Sequence, residues 1–504
     1  MMTTLAHTDE QQGAAVRSAV WLMLAVLACL SVWLINGRPL FYFDTVAYVS
    51  QGHNGLRQLG WSAESPLAGR GAALREAGVP APDIAQIEAD KTVDGSRSAV
   101  YALIAGALAR LRMLEGLIVL NVAAVLAAVW LPMRVALRVW GGDMPIGKAV
   151  ALPIIVASLG SLPFLIAYLM PDTFAPVLLL VIATLVAFAQ HMRPWEIAFA
   201  VALGALAIVT HLSHLAIAAL MVPASALVSV FVARRQWWLA PALVALIVGI
   251  GFAEQSVLRS AARSVAGAEV VIKPYITARM IQDGPGLDYL NEHCPDANIP
   301  TCKLHAALQW SDDPYRITAT HIVFETSPRL GSFRLMAPED QKAVADDQIR
   351  FFLAVLADRP LDTMAAFLKN TLIQSRWVAV DLTLPTDSVV NQNRGVTGLL
   401  LSDFDHGRLT RDRSWFGPVT VAQEILYALS LLVIAVLLLL PGRVPAPLKA
   451  LAVTVLLGIL ANALVCGGIS QPSTRYGARV IWLLPLVATM MLIFARHGRR
   501  EVAP

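Results

Sequence analysis

The chain has 504 residues, 57% of them hydrophobic and 15% charged, with a formal net charge of +4 at pH 7. That composition excludes an ordinary soluble domain, and no nucleic-acid partner is expected; what matters about the charge is which connectors carry it. Many apolar runs reach the roughly 20 residues that cross a bilayer, so the expected fold is an all-α polytopic membrane protein of about ten transmembrane helices.

In chain order, residues 1–17 are polar and read as a disordered cytoplasmic tail. The first apolar run, Ala19 to Leu34, has no small-x-small cleavage site followed by polar mature sequence. It reads as a retained helix and not a signal peptide. It opens a transmembrane region, 18–252, and delivers a first periplasmic loop at 37–97. Ser98 to Leu111 is too short to span and reads as an interfacial or half-buried helix. Further crossings are expected at about 113–133, 149–169, 174–189 and 196–210, then in the run ending at Arg234-Arg235, then at 238–252. Residues 253–418 are polar, with Ile349, Phe352, Leu353 and Leu356 at helical spacing. A stretch of that length is a mainly helical periplasmic domain and not a loop. Residues 419–496 hold the last three crossings, ahead of a second cytoplasmic tail at 497–504.

Basic connectors gather on one side: Arg17, Arg134, Arg138, Lys148, Arg193, Arg234, Arg235, Arg443 and Lys449. That side reads as the cytoplasm, with both termini on it. Cys294 and Cys302 fall on the other side. A zinc pair would need more ligands than the nearby His293 and His305, so a loop disulfide in an oxidising compartment is expected. Cys29 and Cys466 lie in apolar runs and read as core residues.

The outer face collects the polar residues. Asp44 follows the first crossing and shares a helix face with Tyr48, four residues on. Asp172 follows Met170-Pro171, His211 and His214 follow the 196–210 run, and Arg475, Tyr476 and Arg479 precede the last crossing. A carboxylate at the membrane boundary is costly to keep without a use. Asp44 suits a general base for a hydroxyl, or a ligand for Mg²⁺ or Mn²⁺, with Asp172 as the second carboxylate. The competing reading of each aspartate is a helix cap. Arg475 and Arg479 suit a phosphate, which guanidinium binds bidentately; otherwise they snorkel to lipid head groups. The two histidines share a metal or phosphate, or simply satisfy an interface. No phosphate-loop or nucleophile-elbow motif occurs, so no nucleotide cofactor is expected and a lipid carrier is the expected donor.

An apolar first helix followed by Asp44-x-x-x-Tyr48 resembles the GT-C superfamily of membrane glycosyltransferases. These often carry Asp-Glu-x-x-Tyr in the first outer loop; here Thr45 stands where the Glu would be. Met170-Pro171-Asp172 looks like the second acidic site of such enzymes. The stretches around Asp172, His211-Leu-Ser-His214 and Arg475-Tyr-Gly-Ala-Arg479 are also similar to an uncharacterised family of bacterial inner-membrane proteins. The GT-C resemblance implies transfer of a hexosyl or pentosyl group from a polyprenyl-phosphate-sugar donor to a lipid or glycan acceptor at the periplasmic face of the inner membrane. Asp44 and Asp172 would then be catalytic, and Tyr48, His211, His214, Arg475, Tyr476 and Arg479 would bind substrate. A lipid-linked glycan or small-solute transporter and a non-catalytic envelope-assembly protein are the alternatives. A transporter would favour ionisable residues at mid-membrane and internal repeats, whereas here polar residues collect at one face.

Overall fold

The computed structural model describes residues 2–76, 78, 93–141, 144–233, 235–267, 269–400 and 404–495. Arg234 and the 497–504 tail lie outside the described residues. In a bilayer each backbone polar group must be satisfied within the protein, and the helix does this segment by segment. Among the described residues, eight helical stretches are long and apolar enough to cross: Ala15–Asn36, Gly116–Trp140, Pro171–His191, Leu212–Val232, Leu239–Val265, Phe416–Leu439, Ala446–Ser470 and Thr474–Ile493. The chain is an all-α, multi-pass membrane protein.

The two other expected crossings fall on shorter helices. Pro194–Ile208 has 15 residues. The 149–169 run is interrupted, giving Ile146–Ala157 and Leu162–Ile166. The break lies at Ser158-Leu-Gly-Ser-Leu-Pro163, where glycine loosens the backbone and proline lacks the amide a continuing helix needs. Two boundaries are corrected. The first helix begins at Met2, so the polar tail is helical rather than disordered. The helix expected to end near 252 runs from Leu239 to Ala266. Ala99–Arg110 is a separate 12-residue helix, started by the Ser98 hydroxyl accepting from the Tyr101 amide.

Phe174–Phe188 is buried along its whole length, so it is the central helix of the bundle. At one end of the bundle the fully buried Glu196 accepts from Arg134 Nε at 3.2 Å, from Arg138 Nη2 at 2.8 Å and from the Arg193 amide at 2.8 Å. A second apolar core, including Ile281, Leu304, Ile322, Phe333, Phe351 and Val355, holds the domain together. Cys294 and Cys302 are disulfide-bonded, with Cα atoms 5.5 Å apart. The domain is tied to the first loop by a parallel pairing of Val93–Asp94 with Val270–Val271. Asn393 Nδ2 also donates to the Tyr42 carbonyl at 3.0 Å.

Three close approaches position the polar residues. Leu40 bridges to the loop before Asp172, its amide donating to Ala167 O and its carbonyl accepting from the Leu169 amide, both at 2.8 Å. Arg97 bridges in antiparallel fashion to His211. The Phe43–Gln58 and Ala99–Arg110 helices cross at Gly52 and Gly106, where a Cβ on Gly52 would lie 1.8 Å from Ala102 O. Only a residue without a side chain allows that approach.

Candidate functional site

Asp44 lies in the first turn of Phe43–Gln58, but it is not the cap. The N-cap is Tyr42, whose amide donates to the Thr45 hydroxyl at 3.0 Å. The position where the GT-C pattern carries a second carboxylate is therefore spent on starting the helix. The Asp44 carboxylate instead accepts from Arg97 Nη2 at 2.7 Å through Oδ1, and its Oδ2 lies 3.7 Å from Arg475 Nη1. Its side chain keeps 32% of its surface exposed.

Asp172 is not a cap either. It is 1% exposed and accepts from Arg475 on both oxygens, with Nε at 3.0 and 3.2 Å and Nη2 at 2.8 Å. Arg479 Nη1 stands 3.7 Å from its Oδ1. The Arg475 guanidinium is thus fixed between the two aspartates and packed among the rings of Tyr42, Tyr168 and Tyr476, with centroids 5.0, 5.7 and 5.7 Å away. Arg479 is held by Asn462 Oδ1 at 2.9 and 3.0 Å. Bidentate, desolvated contacts of this kind are the strong ones.

A metal shared by Asp44 and Asp172 does not fit these residues, because the space between the two carboxylates is taken by the Arg475 guanidinium. The donor set carries the same message. Four cations, Arg97, Lys273, Arg475 and Arg479, face three carboxylates, Asp44, Asp94 and Asp172, and the cluster is net positive.

A cavity of about 2030 Å³ opens beside the cluster. Its polar lining includes Tyr42, Asp44, Tyr48, Arg97, His211, Lys273, Arg475 and Tyr476. Its apolar lining includes Val257, Leu258, Ala261 and Val265 of the Leu239–Ala266 helix. Asp172, His214 and Arg479 do not line it. Asp172 and Arg479 stand behind Arg475. His214 is fully buried, its Nδ1 directed at the Ala207 carbonyl at 2.9 Å and at Thr210 Oγ1 at 3.2 Å. His214 thus packs at the junction of the Pro194–Ile208 and Leu212–Val232 helices, away from the cavity. His211 Nδ1 accepts from the Ser213 amide at 3.1 Å. Tyr48 reaches the cavity but is 2% exposed and packed edge-on against Tyr101 at 5.0 Å.

Electrostatics follow from this packing. Burial alone would raise the Asp44 carboxyl, but Arg97 and Arg475 outweigh it and hold the group below its ordinary value. Burial likewise opposes Lys273 and Arg97 at Asp94, and the cations win there too. Burial and then Arg479 push His211 down to about 4 despite Asp172. At neutral pH the aspartates are charged and His211 is not.

Sequence reasoning missed Arg97, Asp94 and Lys273. Arg97 Nη1 donates to Asp94 Oδ2 at 2.7 Å, and Lys273 Nζ lies 3.0 Å from the same oxygen. The three-residue spacing of Asp94 and Arg97, just before the Ser98 cap, was a readable signal. Lys273 had none, since only the pairing of two distant strands brings it in. No family model, curated protein or solved structure matches the chain.

Proposed function

We propose that this chain is an integral-membrane glycosyltransferase of the GT-C type, moving a sugar from a polyprenyl-phosphate donor to a lipid or glycan acceptor. The observation that carries the reading is the fixed Arg475 guanidinium, set beside Asp44 in a cavity whose lining is otherwise largely apolar. A lipid phosphate needs that combination: preorganised cations for the anion and an apolar wall for the chain. The acceptor oxygen bonds to the anomeric carbon, the bond from that carbon to the phosphate oxygen breaks, and polyprenyl phosphate leaves with the electron pair. Asp44 takes the hydroxyl proton. Arg475 and Arg97 meet the charge on the leaving phosphate. Asp172 acts through Arg475, as its positioning residue.

The reading includes a bacterial inner membrane, with the cavity and the disulfide-bonded domain in the periplasm and both termini in the cytoplasm. The buried Glu196 cluster of Arg134, Arg138 and Arg193 supports this orientation, as does the Cys294–Cys302 bond. A second reading, a lipid-linked glycan transporter, draws support from the interruption at Ser158–Pro163 and from the π-helical end, Leu464–Ser470, of another span.

Native mass spectrometry of the purified protein tests the site directly. Polyprenyl phosphate should be retained and polyprenol of the same length lost, and Arg475→Gln should abolish the difference. Equal retention of phosphate and alcohol by the native chain would overturn the phosphate site.

A further inference from the structure

We propose that the Pro360–Arg376 helix lies in the membrane interface, with lipid acyl chains covering one of its faces, and so docks the domain onto the bilayer. The helix has three faces. Thr363, Asn370, Thr371 and Gln374 are buried. That face sits on the end of the Ala446–Ser470 span, where a Cβ on Gly467 would lie 2.7 Å from Asn370 O and one on Gly468 2.9 Å from Phe367 Cδ1. Leu361, Met364, Leu368 and Leu372 are 82%, 61%, 61% and 50% exposed. Their spacing of three, four and four residues places them in one stripe at 3.6 residues per turn. Asp362, Lys369 and Arg376 are exposed on the third face.

At the helical step the apolar stripe is flanked on one side by the face packed on the span and on the other by the charged face. A helix lying in a membrane interface beside a bundle has this arrangement, with acyl chains under the stripe and water over the charges. The stripe also continues an existing lipid-facing surface. Leu464 and Leu460, 36% and 55% exposed, point outward from the same span, one and two turns from Gly467. A soluble partner covering the stripe would have to enter the bilayer. Trp377, 47% exposed, follows the helix, and tryptophan favours head groups. The consequence reaches the cavity, because Phe367 packs on Phe352 of the Pro338–Asp358 helix, with centroids 5.6 Å apart. That helix supplies the cavity-lining Gln348 and Ile349.

The test places a fluorophore on the stripe. Cys29 and Cys466 are buried and the other two cysteines are bonded, so a new surface thiol is labelled selectively. Leu368→Cys and Leu361→Cys proteins carrying bimane would be reconstituted in phosphatidylethanolamine–phosphatidylglycerol vesicles containing a lipid with an acyl-chain nitroxide. Asp346→Cys is the water-exposed reference, its side chain being 69% exposed. Emission from both stripe positions should be blue-shifted and quenched severalfold more than from the reference. Quenching equal to the reference at both positions would overturn the proposal. So would disulfide cross-linking of the Leu368→Cys protein to a second copy without quenching, which would assign the stripe to a protein contact.

Discussion

Asp172 and Asp44 differ in what they support, and the difference is measurable. Removing the Asp172 charge leaves the buried Arg475 with only the 3.7 Å contact to Asp44. Breaking a buried pair on one side costs about 3–5 kcal/mol. Asp172→Asn should therefore lower the melting temperature of the detergent-solubilised protein markedly. The double variant Asp172→Asn, Arg475→Met should recover most of that loss while remaining inactive. A single variant as stable as the native chain would contradict the assignment. A second expectation concerns pH. His211 is neutral above about 4, and Arg97 and Arg475 keep Asp44 ionised below its ordinary carboxyl range. Lowering the pH protonates Asp44 only below its depressed value. Transfer should thus stay flat as pH falls through the ordinary histidine range near 6.5 and decline only in stronger acid. An inflection near 6.5 would implicate a group outside this account. Asp44, Arg475 and Tyr476 were legible because each sits at a helix boundary in an otherwise apolar sequence. That Asp172 grips Arg475 instead of a metal was not, since charge pairing across 303 residues leaves no local mark.

At the scale of elements, the site depends on two short helices that cross without side chains between them. A Cβ on Gly52 would overlap Ala102 O at 1.8 Å, so Gly52→Ala must part the Phe43–Gln58 and Ala99–Arg110 helices and pull Asp44 from Arg97. Overpacking typically costs about 1–3 kcal/mol. Lower thermal stability and lost phosphate retention are expected together. Gly249→Ala meets nothing within 4 Å and should leave both unchanged. If Gly52→Ala behaved like Gly249→Ala, the crossing would not be what sets the site. Hydropathy made the long spans readable, since length and apolarity are themselves the cause of membrane insertion. It did not reveal the interruption at Ser158–Pro163, because an apolar run reads the same whether or not its backbone is continuous.

In the molecule as a whole, one end carries the arginines around Glu196, and the other carries the cavity, the first loop and the disulfide-bonded domain. A reporter active only in the cytoplasm, fused near Asp387, should be silent, and two of the four cysteines should resist alkylation in denatured protein until it is reduced. Activity of that reporter would reverse the orientation. Basic connectors and cysteine spacing carry the expectation for the domain's side, because they record insertion and redox chemistry. How the domain meets the first loop was not, because two-residue strands have no periodicity to detect. The proposed sugar transfer rests on Asp44 as its base. The most direct measurement compares native and Asp44→Asn proteins in nanodiscs, matched for folded amount by size exclusion, for transfer from radiolabelled polyprenyl-phosphate hexose and pentose donors. Asp44 makes no capping hydrogen bond and asparagine keeps an oxygen for Arg97, so the folded variant is recovered while transfer falls on the order of 10²–10⁴-fold; transfer by the Asp44→Asn protein at the native rate would contradict a base at this position.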